Sequence, residues 1–218
     1  MKRYIGLMIV LCCFFGATLA QTSLGLKTGY TKAWMDYGEV PLPDNAIIHI
    51  NRIHVSALAY KQLNSFLRVG IEPGYLSRGA NCEPGFAGGF RGDTKLILNN
   101  VELPLMCSAH IPLVKNQVGL MANVGYGVSY TIAAFRETRD LDGIIPTTRE
   151  RLDFDGFRPP QRWSHGLYGG LGISKKIKGN DVFIKADYHY GFVDIDVLNT
   201  SKHRSLQYGL GYLFQLKK

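Results

Sequence analysis

The sequence predicts an all-β chain folded as an eight-stranded antiparallel up-and-down transmembrane β-barrel. Three observations carry this: segments that alternate apolar and polar residues at period two, connections that alternate long and short, and a less apolar face rich in glycine and ions. Successive side chains of a strand point to opposite faces, so such alternation marks a sheet with two unlike sides. Nothing after residue 20 approaches the roughly eighteen uninterrupted apolar residues of a spanning helix. Crossing a bilayer would then require a closed barrel.

The 218 residues divide into a signal peptide over 1–20 and one barrel domain over 21–218. In MKRYIGLMIVLCCFFGATLA, Lys2 and Arg3 precede a short apolar run that ends in Ala17-Thr18-Leu19-Ala20, the layout of a secretory signal. Cys12 and Cys13 are not set in a lipid-attachment pattern and are expected to leave with this peptide. Cys82 and Cys107 then remain, too few for a disulfide framework. The formal charge of +8 becomes +6 without Lys2 and Arg3, and it is spread over turns and loops. Lys175-Lys176-Ile177-Lys178 reads as a solvated turn, and no nucleic-acid partner is expected.

Each strand follows from its alternation. The first, Leu24 to Trp34, sets Leu24, Leu26, Thr28, Tyr30 and Trp34 against Gly25, Lys27, Gly29, Thr31 and Ala33. The second, around Ile53 to Lys61, has faces that differ little. The third, Phe66 to Arg78, opposes Leu67, Val69, Ile71, Pro73 and Tyr75 to Arg68, Gly70, Glu72 and Gly74. The fourth, Leu98 to Leu113, opposes Val101, Leu103, Leu105, Cys107, Ala109 and Ile111 to Glu102, Met106, Ser108 and His110. The fifth, Val118 to Tyr130, carries Leu120, Val124, Tyr126 and Val128 on one side and Met121, Asn123, Gly125 and Ser129 on the other. The sixth, Trp163 to Ser174, places Leu167, Leu171 and Ile173 opposite Gly166, Tyr168, Gly170 and Gly172. In the seventh, DVFIKADYHYGF over 181–192, Val182, Ile184, Ala186, Tyr188, Tyr190 and Phe192 oppose Phe183, Lys185, Asp187, His189 and Gly191. The eighth, Ser205 to Leu216, sets Tyr208, Leu210, Tyr212, Phe214 and Leu216 against Gln207, Gly209, Gly211 and Gln215.

The connections 35–52, 79–96, 131–162 and 194–204 are long; 62–65, 114–117 and 175–181 are short. Long loops on one rim and tight turns on the other are characteristic of outer-membrane barrels. Composition decides which face is inside. Exposed glycine weakens a strand, whereas a narrow lumen needs it to make room for larger neighbours. Lys27, Arg68, Glu72, Glu102, Lys185, Asp187 and His189 share the glycine-rich face, and a Lys or Arg at mid-depth in hydrocarbon would cost about 2–4 kcal/mol. These residues are therefore expected in the lumen as a structural charge network. Tyr30, Trp34, Tyr75, Tyr130, Trp163, Tyr190 and Phe192, near the loop-side strand ends, are expected to form an interfacial aromatic girdle. A lipocalin-like soluble barrel would line its cavity with the apolar face instead, which leaves the ions and glycines poorly placed.

The stretches LGLKTGY, FLRVGIEPGYLSRGA, NNVELPLMCSAHIPL, VFIKADYHYGFVDI and RSLQYGLGYLF resemble the small outer-membrane β-barrel domain family of Bacteroidota, which includes PorT-like proteins and small OmpA/OmpX-type barrels. The resemblance covers most of the chain after residue 20. It implies outer-membrane insertion, with varied activities across the family. The last strand is similar to a barrel-assembly signal, with Gly211, Phe214 and Leu216 at its glycine, aromatic and terminal hydrophobic positions. It departs from that pattern at Gly209 and in the trailing Lys217-Lys218.

No motif predicts catalysis, a metal or a cofactor. Arg91-Gly92-Asp93 sits in a glycine-rich loop where a three-residue match is weak. Asp140-Leu141-Asp142-Gly143 and Asp153-Phe154-Asp155-Gly156 lack the spaced ligands and closing Glu of a calcium loop and read as turns. Phe157-Arg158-Pro159-Pro160 reads as a rigid loop element. His189 or His110 with Asp187 and Ser108 or Ser129 sketches a nucleophile–base–acid set, but lumen packing explains the same spacing. Cys82 is expected in a loop and Cys107 on the lipid face, unbonded. The expectation is thus a non-enzymatic outer-membrane protein with periplasmic termini and a structural or surface-interaction role through long extracellular loops. Its expected partners are outer-membrane lipid, the barrel-assembly machinery and a protein met at those loops. Alternative readings are a PorT-like part of an export or assembly machine, a membrane-embedded enzyme and a narrow pore.

Overall fold

The computed structural model describes residues 21–36, 47–82, 92–114, 117–140, 147–154, 161–194 and 201–216. Residues 1–20, Arg91, Asp142-Gly143, Asp155-Gly156, Phe157–Pro160 and Lys217-Lys218 lie outside them, so the readings placed there are not addressed.

Eight strands form a closed ring. They are β1 (Thr22–Asp36), β2 (Ile50–Gln62), β3 in two segments (Leu67–Ile71 and Gly74–Cys82), β4 (Gly92–Val114), β5 (Val118–Asp140), β6 (Trp163–Ile177), β7 (Asn180–Asp194) and β8 (Lys202–Gln215). Each pairs antiparallel with its sequence neighbour, and β1 closes on β8 from Ser23↔Gln215 to Asp36↔Lys202. No long run of ring backbone is left without a pairing strand. Short pieces, Ile47–Ile48 and Thr148–Arg151, add to the sheet beside Asn81–Cys82 and Phe135–Thr138.

The break in β3 has a local cause. Pro73 has no N–H to offer the ladder, and the residue before it, Glu72, lies opposite Pro104 of β4. Register resumes unchanged on both sides, Ile71↔Leu105 and Gly74↔Glu102, while Glu72 N–H donates to Pro104 O at 3.1 Å. The β6–β7 hairpin is tighter than expected. Its two loop residues, Lys178 at φ 50° and Gly179 at φ 85°, both take the left-handed conformation of a type I′ turn.

Two expected loops, 79–96 and 131–162, are partly strand. Gly79–Cys82 and Gly92–Leu96 belong to β3 and β4, so Cys82 ends a strand, and Gly92-Asp93 starts one. Residues 131–140 continue β5 past a β-bulge, where Asn99 faces Ala133 and Asn100 faces Thr131, leaving Ile132 as the extra residue. The alternation signal fades here because this ribbon pairs Lys95 with Glu137 and Leu96 with Arg136 and so has no uniformly apolar side.

The exterior is apolar: Leu26, Ile53, Leu171 and Ile184 are 62, 74, 71 and 65 % exposed. Lys27, Arg68, Glu72, Glu102, Lys185 and Asp187 are buried inside. Leu171 lies near the middle of β6 on the outer surface. Replacing it with Arg is expected to destabilise the barrel in lipid vesicles by about 2–4 kcal/mol, read from urea unfolding, with Leu171→Phe close to neutral. Equal stability of the Arg and Phe variants would contradict a hydrocarbon-facing exterior.

Candidate functional site

The lumen is filled in layers, each supplied by inward positions of several strands. At the turn-side end, Arg68 Nη2 meets Asp181 Oδ2 at 2.7 Å, and Arg68 Nε donates to Gln62 Oε1 at 2.7 Å. Nearby, His110 Nε2 and Ser174 Oγ are 2.5 Å apart. Next comes an apolar layer of Leu58, Met106, Met121, Phe183 and Leu213, joined by the rings of Tyr60 and Tyr168. Gly211 has a packing role here, since a Cβ at that position would run into the Phe183 ring.

At mid-lumen, four charges form one lattice. Glu72 Oε2 meets Lys27 Nζ at 2.5 Å, and its Oε1 meets Lys185 Nζ at 2.7 Å. Lys185 also reaches Asp187 Oδ2 at 2.9 Å, with Lys27 3.6 Å from the same oxygen. Tyr60 donates its hydroxyl proton to Glu72. Two ammoniums and two carboxylates balance, which makes burial tolerable; unpaired, each would carry a large desolvation penalty. The lattice links β1, β3 and β7 across the hollow of the barrel.

A second charged group lies toward the loop side. Arg78 Nη2 contacts Glu102 Oε2 at 2.7 Å and donates to Tyr168 Oη at 3.0 Å, while Tyr168 donates to the same Glu102 oxygen at 2.7 Å. His189 packs against Tyr168 with ring centroids 4.7 Å apart and the planes tilted by 52°. Above this, Met35, Ala80, Leu98 and Ala134 form an apolar cap against which Leu96, Leu152 and Phe154 pack.

The charges anticipated as one network thus fall into three groups. Lys27, Glu72, Lys185 and Asp187 come together. Glu102 pairs with Arg78, Arg68 pairs with Asp181, and His189 meets an aromatic ring. Arg78, Tyr60, Tyr168 and Asp181 complete these groups and were not among the anticipated site residues. The signal for Arg78 and Asp181 was parity: each lies an even number of residues from a recognised inward charge. Tyr168 shared a face with Gly166, Gly170 and Gly172 and so carried the same signal; Tyr60 gave none, because the two faces of its strand differ little.

The sketched nucleophile–base–acid set is not assembled. His110 faces Ser174; Ser129 is bonded to Ser164 at 2.6 Å, and Asp187 is held by lysines. Among the described residues no three His, Cys, Asp or Glu side chains converge as a metal site. Cys107 is a free thiol, half-buried. Of the girdle residues, Tyr130 packs on Trp163 at 4.8 Å and Tyr190 on Phe192 at 5.6 Å. Trp34 sits between His49 and Tyr188, and Tyr30 and Tyr75 are exposed on the outer face. Phe214 and Leu216 also point outward.

No family model matches the chain, and no curated protein does. Solved structures similar to it include the outer membrane protein OprG of Pseudomonas aeruginosa (10% identity, 90% of this chain and 98% of that one, TM-score 0.49). Neisserial surface protein A is similar at 15% identity over 88% of this chain and 97% of that one, with TM-score 0.44. Ail of Yersinia pestis, solved with the heparin analogue sucrose octasulfate, is similar at 14% identity over 89% and 99%, with TM-score 0.42.

Glu72 touches both lysines, so Glu72→Gln leaves two buried ammoniums sharing one carboxylate, that of Asp187. The expected loss is about 3–5 kcal/mol in urea unfolding from vesicles. Tyr168→Phe removes two hydrogen bonds to charged groups and is expected to cost about 1.5–3 kcal/mol in the same assay.

Proposed function

We propose that this chain is an integral outer-membrane barrel without enzymatic activity, closed to solute flow, whose loop-side rim anchors or engages a macromolecular partner. The observation that carries this is the inverted burial: aliphatic and aromatic side chains cover the outside, while Lys27, Glu72, Lys185 and Asp187 occupy the axis. A chain dissolved in water gains nothing from that distribution, whereas one in hydrocarbon requires it. The layout of residues 1–20 supports export, and the turn-side position of both Thr22 and Gln215 supports periplasmic termini.

The rim is the part with freedom to bind. β4 and β5 each run for 23 residues, where roughly nine to eleven tilted residues cross the hydrocarbon. They project together beyond the barrel and are widened by Thr148–Arg151. On this projection Arg149 lies 4.5 Å over the Phe135 ring and 3.6 Å from Glu137. Arg162 lies 4.3 Å over Phe154. Stiff arginine–aromatic pairs of this kind suit a protein-contacting surface. The resemblance to PorT-like barrels favours a second reading, membership of an export or assembly machine. It would differ in yielding a defined multi-protein complex on mild detergent extraction.

Purified protein in detergent is expected to shift its gel mobility on boiling and to give no steady conductance in a planar bilayer. Stable channel openings would overturn the closed lumen, and recovery of the chain in the soluble periplasmic fraction would overturn the membrane reading.

A further inference from the structure

Above the mid-lumen ion lattice and beneath the apolar cap lies a cluster of buried polar atoms whose hydrogen-bonding capacity is unmet. Arg78 is 0 % exposed, and its Nη2 is engaged by Glu102 and Tyr168, yet its Nε and Nη1 have no partner. The Nδ1 atoms of His189 and His203 and the Oγ of Ser205 are also unpartnered, on side chains that are all buried. These groups are neighbours. His189 packs against the Tyr168 ring whose hydroxyl holds Arg78, and it faces Ser205 across the β7–β8 pairing. Gly191 lies between the two histidines: a Cβ there would be 3.3 Å from His203 Cβ and 3.4 Å from His189 Cε1. On the outer side of the same wall, the Arg204 guanidinium donates to Gly191 O at 2.9 Å and lies 3.6 Å over the Tyr190 ring.

Interiors seldom leave buried polar groups unmet, and a concentration of them points to a guest. The character of these atoms says which kind. The two Arg78 nitrogens are obligate donors, and a serine hydroxyl and an imidazole N–H can each donate. Arg78 is the buried cation of this cluster and Glu102 takes only its Nη2, which leaves two of its nitrogens with protons to give. A guest that accepts from every side and donates to none fits this set, and that is an anion. Side chains crowd an eight-stranded lumen, which limits the guest to a small one.

We propose that Arg78, His189, His203 and Ser205 form a buried binding site for a small inorganic anion of halide size. Arg78 supplies charge and two fixed N–H groups, the histidines adopt the tautomers that donate from Nδ1, and Ser205 turns its hydroxyl inward. The cap of Met35, Leu98, Leu152 and Phe154 lies between this site and the loop side and slows exchange. The site does not depend on the role assigned to the rim.

Protein refolded into detergent with sodium bromide and crystallised should show an anomalous bromine peak within hydrogen-bond reach of Arg78 Nε. In thermal unfolding at constant ionic strength, bromide or chloride should raise Tm by several degrees over gluconate, by equal steps per tenfold of halide as mass action requires. Arg78→Gln also breaks the Glu102 pair and endangers folding, so His203→Leu, which leaves that pair in place, is the informative variant. It should fold and lose both the peak and the halide dependence. Water alone at the site, no halide dependence of the wild type, or full halide dependence in His203→Leu would each overturn the proposal.

Discussion

Every backbone N–H and C=O in a hydrocarbon layer must find its partner within the protein, because no water is there to serve as one. The pairing of β1 with β8, unbroken from Ser23↔Gln215 to Asp36↔Lys202, meets this demand by removing the edges of the sheet. The rest follows from closure. Once the ring is shut, each strand has one face toward lipid and one toward a narrow axis, and period-two alternation sorts side chains between them. Two of the places where the ladder falters are instructive. At Pro73 the neighbouring groups are still used, with Glu72 N–H on Pro104 O and Ala57 N–H on Pro73 O at 2.8 Å. At Ile132 the bulge falls where β5 begins its run toward the rim.

Inside, the chain solves a different problem. An axis lined by eight strands is too narrow for bulk water and too wide for backbone alone, so side chains must fill it. Apolar filling is used between the turn-side Arg68–Asp181 pair and the mid-lumen lattice, and again in the cap. Between these layers the filling is ionic. Buried ion pairs are poor sources of net stability, since desolvation consumes most of the attraction. Their contribution is registry: Glu72 can satisfy Lys27, Lys185 and Tyr60 together only if β1, β2, β3 and β7 hold one stagger. A slip of one residue would turn each of these groups out toward lipid.

Much of this was legible in the sequence because lipid enforces alternation strongly. The inward assignment of Lys185 and Asp187 follows from their places in VFIKADYHYGF, and that of Glu102 from VELPLM. What spacing could not reveal was partner choice. Glu102 joins Arg78 rather than the mid-lumen lysines because stagger across the barrel sets which inward positions share a level, and stagger is a property of the closed ring. Tyr60 was obscure because the outward positions of β2 include Asn51 and Ala57, which differ little from what faces inward. The extensions of β4 and β5 were missed for the opposite reason. Beyond the bilayer no solvent imposes an apolar side, so Arg136, Glu137 and Arg139 read as loop although they lie in register with Leu96, Lys95 and Asp93. His203 and Arg204 fell just before the expected start of the last strand, which hid the polar cluster near Gly191.

The lopsided height of the wall has a geometric consequence. A cylinder of even rim is indifferent to rotation about the bilayer normal, and whatever lands on it meets the same profile from any compass direction. Here, among the described residues, the ribbon formed by β4, β5 and Thr148–Arg151 extends furthest, giving the molecule a front and a back. A visitor diffusing in the plane of the membrane would collide with this fin broadside or edge-on according to heading, so encounter with neighbours becomes directional without any moving part.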